Sequence, residues 1–276
     1  MKKIFWVGVL AILFVSSIAI WRARSEVRDA TSAGEGNFEY GEPDYSELRL
    51  LWERENLNYV VAAGEKDADR SVLLREWARA QWDTPARGSM PEPAWNARRI
   101  LDRIRSGDLP GGACSEYAVV LLQASLAAGI PARIVSLESR EGSGHRVVEV
   151  WAKENRRWMV MDPFFDVAYE REGVLLNAWD LHRALESGET EGIRVRRGAR
   201  DRGLSPQALL AYYHHFTILF RSNASSDGAQ EINLRSEGYV DTFTDGCPSF
   251  SKWLTRDGEA LYLPPPPLRR EYLPSG

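Results

Sequence analysis

The stretch from Tyr117 to Ala128 constrains the fold most, because it is apolar on nearly every face of a helix. A helix that is apolar all round is usually enclosed by the rest of a protein. Gly129 and Pro131 follow in the order that is typical of a helix C-terminus. The sequence therefore predicts a buried helix that begins at Cys114, directly after Gly111-Gly112-Ala113.

The segments on either side of this helix differ in their periodicity. Upstream, the residues from Lys66 to Trp82 and from Ala94 to Ile104 carry apolar side chains at helical spacing. Downstream, the runs 132–137, 146–152 and 157–161 have the β-rich composition of strands. Helices first and strands after indicate an α+β fold, in which the N-terminal helices and the cysteine helix pack on an antiparallel sheet.

Cys114 has surroundings that favour ionisation of its thiol. The first turn of a helix presents free backbone N–H groups and the positive end of the helix dipole, and both stabilise a thiolate. His145 stands in the second strand region and Asp162 follows the third. We therefore predict that Cys114 is a nucleophile, His145 its general base and Asp162 the carboxylate that orients the imidazole. The backbone N–H of Cys114 is a natural donor to the negative oxygen of a tetrahedral intermediate.

Parity along the second and third strands predicts that His145 and Asp162 share one face of the sheet. With a turn of even length, Val147 pairs with Val160 and His145 lies directly opposite Asp162. Side chains directly opposite each other have Cβ atoms about 4.5–5.5 Å apart, so an imidazole and a carboxylate can bond. A turn of odd length would put the two residues on opposite faces.

Four stretches of this region resemble the transglutaminase-like superfamily of papain-fold cysteine enzymes. They are Gly111–Tyr117, Gly129–Arg133, Gly144–Trp151 and Arg157–Pro163, within a resemblance that covers about residues 70–185. The resemblance implies a papain-like transglutaminase core and a triad for acyl transfer, with Cys114 as nucleophile, His145 as general base and Asp162 as orienting carboxylate. The superfamily also includes peptidases, amidases, deamidases and inactive members, so it leaves the acceptor, water or an amine, open.

The sequence favours a cysteine acyltransferase or amide hydrolase that acts on a protein, peptide or cell-wall substrate. The alternative is a non-catalytic scaffold or binding module in an envelope or polysaccharide assembly. A third possibility is a disulfide between the two cysteines, Cys114 and Cys247, which would silence the nucleophile. No Cys/His cluster has metal-ligand spacing, so we predict neither a metal site nor a cofactor.

The N-terminus has the pattern of a targeting segment. Lys2 and Lys3 precede an uncharged run of 18 residues, Ile4 to Trp21, and two arginines follow it closely. The run is longer than the about 7–15 residues of a signal-peptide core and reaches the lower end of the roughly 17–25 that span a membrane. We expect a single-pass anchor in the cell membrane with an extracytoplasmic domain. The alternative is a cleaved signal and a secreted or periplasmic protein.

These patterns divide the chain into four segments. They are an anchor or signal over residues 1–25, a tether over 26–44, the core over 45–185 and a C-terminal extension of unknown role over 186–276. The net charge of −4 gives no general attraction for nucleic acid. The basic run from Arg194 to Arg202 is local, and such runs are usually solvated loops. The sequence leaves the oligomeric state open.

Overall fold

The computed structural model describes residues 45–83, 96–109, 111–219, 231–234, 240–243 and 265. The predicted anchor and tether lie outside these ranges, and so does Cys247. Within the ranges, no helix combines the length and the apolar character that a membrane crossing requires.

An antiparallel sheet forms the second half of the fold. The strands of the described residues pair in the order β5-β4-β3-β2-β1-β7-β8-β9, and β6 pairs with β4. Their bounds are β1 (Ala132–Glu138), β2 (Gly144–Ala152), β3 (Arg157–Asp162), β4 (Val167–Arg171), β5 (Val174–Leu175), β6 (Ile193–Arg197), β7 (His215–Leu219), β8 (Glu231–Leu234) and β9 (Val240–Phe243).

Helices precede this sheet, as the sequence predicts. They are α1 (Tyr45–Arg54), α2 (Leu57–Val61), α3 (Asp67–Arg79), α4 (Ala97–Ser106) and α5 (Cys114–Ala127). Every residue of α5 from Glu116 to Ala127 is buried. This helix packs against α1, α3 and α4 and against strands β1 and β2. The α+β fold class, with the cysteine helix packed on an antiparallel sheet, is confirmed.

The two faces of the sheet belong to two apolar clusters. Alternate residues of β2 point to opposite faces, so Val148 and Val150 join the cluster that contains the buried residues of α5. Val147 and Trp151 join the other cluster. That second cluster is completed by residues after 175, from α6 (Ala178–Ser187), α7 (Pro206–Leu210) and the 3-10 helix Ala211–His214.

The register between β2 and β3 differs by two residues from the prediction. Glu149 pairs with Val160, and Ala152 pairs with Arg157. The turn between the strands therefore has four residues rather than two, and its last residue, Arg156, adopts a left-handed conformation with φ of 50°. The predicted turn of two residues and the observed turn of four are both even, so His145 and Asp162 remain on the same face of the sheet. Asp162 consequently lies diagonally across from His145 instead of directly opposite.

The fold continues past residue 185, where the sequence predicts that the core ends. Strand β6 pairs with β4, and β7 pairs with β1 in the interior of the sheet. The basic run is therefore not a solvated loop over its first half, because Ile193–Arg197 form β6. Its arginines are exposed in this strand, so the pairing with β4 is made by the backbone while the charges remain in water.

Candidate active site

Cys114 is the first residue of α5, where the glycine pair leads the chain into the helix. The Glu116 carboxylate accepts a 2.9 Å hydrogen bond from the Ala113 N–H and so stabilises this helix start. Gly112 has no room for a side chain, because a Cβ there would lie 2.8 Å from the Tyr117 ring and 2.9 Å from the Trp82 ring. The thiol of Cys114 is free and partly exposed.

His145 and Asp162 meet at one end of the sheet, where β2 begins and β3 ends. The imidazole Nε2 lies 2.7 Å from Asp162 Oδ2, and the two residues are 5% and 1% exposed. The other carboxylate oxygen accepts hydrogen bonds of 3.0 Å from the N–H groups of Phe164 and Phe165. Because both oxygens are engaged, the carboxylate holds the imidazole in one orientation.

The thiol of Cys114 lies beside the imidazole of His145 and the backbone N–H of Arg146, and hydrogen bonding to these groups favours its ionised form. Burial opposes ionisation of the thiol, but the hydrogen bonds and the charge of His145 outweigh it and lower the pKa of Cys114. Burial also opposes the imidazolium, yet the charge and hydrogen bond of Asp162 prevail and raise the pKa of His145 to about 9. Both shifts favour a thiolate beside an imidazolium, the reactive form of a cysteine nucleophile.

The structure thus brings together the three residues that the sequence singles out. The contact between His145 and Asp162 confirms that they share a face, whereas their catalytic roles, and that of Cys114, stay predictions. Among the described residues, no group of three or more His, Cys, Asp or Glu side chains could hold a metal ion.

Aromatic rings surround the imidazole. The ring centroids of Phe164, Phe165 and Tyr212 lie 5.6, 4.7 and 5.0 Å from that of His145. Tyr212 belongs to the 3-10 helix in the C-terminal region, to which the sequence analysis assigns no role. These rings reduce the access of water, and a lower local dielectric strengthens the hydrogen bonds of the site.

Trp82 and Tyr117 form a second aromatic pair beside Gly112, with 4.2 Å between their ring centroids. The Tyr117 hydroxyl accepts a 3.3 Å hydrogen bond from Arg79 Nη1. The indole Nε1 of Trp82 is buried without a hydrogen-bond partner. Buried donors are nearly always paired in folded proteins, so the unpaired indole N–H near Gly112 is available to a further hydrogen-bond acceptor. Sequence reasoning missed Trp82 because its only signal was an apolar position at the end of a helix.

Residues 198–204, which we call the anchored segment, pass close to this site. The buried Asp166 carboxylate accepts hydrogen bonds from Arg75 Nε and from the backbone N–H of Arg200, both 3.0 Å long. The backbone oxygen of Asp166 accepts a 2.8 Å bond from the Gly198 N–H, and a Cβ at Gly198 would collide with the Asp166 carboxylate. Arg79 Nε donates to the carbonyl of Arg200 at 3.2 Å. Helix α3 and the turn after β3 therefore fix the path of this segment.

The anchored segment brings Arg202 next to the aromatic rings. The guanidinium carbon of Arg202 lies 3.6 Å from the centroid of the Phe164 ring, and its charge also acts on the nearby Tyr117 hydroxyl. Sequence analysis missed Arg202 because it is one of several arginines in the basic run, and nothing local distinguishes it from its neighbours.

A comparison with protein families identifies the same resemblance that the sequence motifs indicate. Residues 55–163 match the family model described as the transglutaminase-like superfamily. This segment extends from the end of α1 to the residue after Asp162, and it contains all three predicted site residues. The resemblance to the transglutaminase-like superfamily is confirmed over residues 55–163.

No curated protein matches the chain. Among solved structures, a candidate cysteine protease from Cytophaga hutchinsonii is 15% identical, with a TM-score of 0.32, and the match covers 72% of this chain and 52% of that one. A structure described as a TGase is 11% identical, with a TM-score of 0.33 and coverages of 67% and 42%.

A candidate protease from Parabacteroides distasonis is 15% identical, with a TM-score of 0.29 and coverages of 44% and 26%. The chain thus spans between 26% and 52% of the length of these structures. An activity for this chain consequently rests on the geometry of its own site.

Proposed function

We propose that this chain is a cysteine enzyme that transfers the acyl group of an amide in a protein or peptide to water or to an amine. The observation that carries the proposal is the arrangement in which His145 lies 2.7 Å from the buried Asp162 carboxylate and beside the Cys114 thiol. Cys114 acts as nucleophile, His145 as general base and acid, and Asp162 as the carboxylate that orients the imidazole and stabilises its cation.

The first half-reaction forms a thioester. The Cys114 thiolate attacks the amide carbon, and a tetrahedral intermediate with a negative oxygen results. The imidazolium of His145 donates its proton to the leaving nitrogen, the carbon–nitrogen bond breaks, and the amine departs. In the second half-reaction the neutral imidazole removes a proton from water or an acceptor amine, which attacks the thioester carbon. The carbon–sulfur bond then breaks, the carboxylic acid or new amide departs, and the Cys114 thiolate and the His145 imidazolium are restored. Both acceptors use the same residues in the same order.

Two N–H groups support the assignment of an oxyanion site. The backbone N–H of Cys114 stands at the start of α5, where the helix dipole also favours negative charge. The second donor is the unpaired Nε1 of Trp82, whose ring lies against the Cα of Gly112. The contacts at Gly112 explain why the chain has no side chain there.

We propose further that the enzyme is held at a membrane and acts outside the cytoplasm. The support is the uncharged run Ile4–Trp21 between two pairs of basic residues. The small polar residues between this run and α1 would serve as a tether. A fractionation experiment with the full chain tests this, because an anchored protein stays with membranes after a high-salt wash and a cleaved one does not.

Alkylation of Cys114 by iodoacetamide tests the activated thiol. We expect His145→Ala to slow labelling at neutral pH by about tenfold or more, because each pKa unit changes the thiolate fraction tenfold. His214→Ala is the matched control, since His214 bonds to Glu186 and does not contact the site. Equal labelling of wild type and His145→Ala would contradict the proposal. Glutamine-containing peptides, with and without an amine, then distinguish transfer from hydrolysis.

A further inference from the structure

Arg202 is held against the active-site rings with part of its hydrogen-bonding capacity unused. The guanidinium lies over the face of Phe164, with the Tyr117 hydroxyl nearby. Its Nε and Nη2 atoms are buried and have no hydrogen-bond partner. These two nitrogens form one edge of the guanidinium, the edge that can grip the two oxygens of a carboxylate side-on.

The acidic side chains nearest in sequence and space are engaged elsewhere. Asp201 binds Arg197 at 2.8 Å, and Asp162 binds His145. Among the described residues, no carboxylate lies within ion-pair distance of Arg202. The Arg202 guanidinium is partly removed from water and stacked on a ring. Binding to an anionic group of a ligand would therefore stabilise its charge.

Arg202 is close enough to His145 for one short peptide to reach both residues. Phe164 contacts both groups, with its ring centroid 3.6 Å from the Arg202 guanidinium carbon and 5.6 Å from the centroid of His145. Arg202 is therefore within about 9 Å of the imidazole. An extended peptide advances about 3.3–3.6 Å per residue, so this distance corresponds to two or three residues at most.

The position of Arg202 is built into the fold. Asp166 binds the backbone of Arg200, and Arg79 binds the carbonyl of the same residue. Arg75 and Asp166 are buried and paired with each other. Arg202 therefore does not depend on a freely moving loop, and a ligand that binds it meets an arranged group.

We propose that Arg202 binds a carboxylate of the acyl-donor substrate, within two or three residues of the amide that Cys114 attacks. The inference rests on the proposed function, since it assigns a specificity residue to the same site. The carboxylate belongs either to an acidic side chain or to the C-terminus of a short peptide, and the chemistry at Arg202 is the same for both.

Peptide electrophiles with and without a carboxylate test this inference. Short peptidyl chloroacetamides are prepared in three forms: with a free C-terminal carboxylate, with a C-terminal carboxamide and a glutamate side chain, and with a carboxamide and glutamine. The measured quantity is the ratio of inactivation efficiency of each acidic probe to that of the neutral probe. We expect a ratio of about ten or more for at least one acidic probe in the wild type, because hydrogen bonds to charged groups are the stronger kind.

Arg202→Met should bring this ratio close to one, and Arg202→Gln is the second variant if the first does not fold. Arg196→Met removes an exposed charge from the same basic run and should keep the wild-type ratio. A wild-type ratio near one, or an unchanged ratio in both Arg202 variants, overturns the role of Arg202. Failure of the neutral probe to label Cys114 in the wild type would instead overturn the proposed function, so the two failures are distinguishable.

Discussion

The pKa values of Cys114 and His145 are set by burial, which opposes ionisation, and by neighbouring charges, which favour it. Burial opposes charge on both groups, the Asp162 carboxylate favours the imidazolium, and the imidazolium favours the thiolate. The attractive interactions prevail at both residues. The same two residues therefore set the lower and the upper pH limit of the proposed reaction.

The pH profile of peptide turnover should have an upper limit near pH 9. The thiolate forms as pH rises through the lowered pKa of Cys114, and the imidazolium that protonates the leaving amine is lost as pH rises through about 9, the raised pKa of His145. In Asp162→Asn the imidazolium loses its anionic partner, so the upper limit should move to lower pH. Turnover by both proteins across pH 5–11 provides the measurement, and an upper limit that is identical in the two would count against the role of Asp162.

Trp82→Phe should lower kcat while it preserves the ring that packs on Gly112. Loss of a single oxyanion donor commonly reduces kcat by about 10²–10³. The alkylation rate of Cys114 should change little, because iodoacetamide forms no oxyanion. Turnover and alkylation are measured on the same preparations. Parallel loss of both rates would point to a displaced thiol instead of a missing donor.

At the residue scale, the sequence predicts which residues lie together better than it predicts the register between β2 and β3. The faces of His145 and Asp162 follow from the two-residue period of strands, which a turn of two or of four residues leaves unchanged. The actual register depends on Arg156 in a left-handed conformation and on Trp151 facing Trp158 across the strands. Neither feature has a strong local signal, since arginine is not a usual residue for a left-handed turn.

At the element scale, the start of α5 is tightly enclosed. Gly112→Ala would place a Cβ against the rings of Tyr117 and Trp82, at 2.8 and 2.9 Å. Overpacking of this kind costs about 1–3 kcal/mol in the free energy of unfolding. Gly144→Ala is the control, because a Cβ there would have its nearest contact at 4.0 Å. Urea unfolding measures both, and equal stability of the two variants would show that the aromatic pair moves aside freely.

The attachment of the anchored segment should depend on a buried ion pair. Asp166→Ala removes the buried partner of Arg75, leaves that guanidinium paired only with the partly exposed Glu76, and frees the backbone of Arg200. Removal of one partner from a buried ion pair costs about 3–5 kcal/mol, and the remaining pair of Arg75 with Glu76 should reduce this cost. Glu53→Ala breaks an exposed pair with Arg49 in α1 and should cost at most about 1 kcal/mol. Urea unfolding compares the variants, and hydrogen exchange should rise over residues 198–202 in Asp166→Ala alone.

The elements from α3 to β3 were predictable because their sequence patterns are strong. Helix α5 is apolar on nearly every face, and β1 and β2 are rich in β-branched residues. Strand β6 was not predictable, because arginines occupy most of its positions and hide the alternation. The charges indicate solvent exposure correctly, but exposure does not exclude backbone pairing along the margin of a sheet.

At the scale of the whole molecule, the two faces of the sheet are covered by different parts of the chain. Helices before residue 128 cover one face, and residues after 175 cover the other. The same later residues contribute Tyr212 and Arg202 to the surroundings of His145 and Phe164. We therefore expect folding of the sheet and completion of the site to depend on the same segment, which a search for catalytic motifs alone would leave out.

A chain limited to residues 45–185 should consequently fail to fold cooperatively, whereas residues 45–243 should fold. The shorter chain lacks β7 and exposes the face normally covered by four buried residues, Leu209, Leu210, Tyr213 and Phe216. Burial of each large apolar side chain contributes about 1.5–3 kcal/mol, so their combined loss is comparable with a typical net stability of about 5–15 kcal/mol. Circular dichroism during urea unfolding, with iodoacetamide labelling of Cys114, compares the two chains. We expect the shorter chain to lose both properties, because a sheet with one uncovered apolar face cannot hold His145 against the thiol. A cooperative transition and wild-type labelling in residues 45–185 would contradict this and show that the core folds without the later residues.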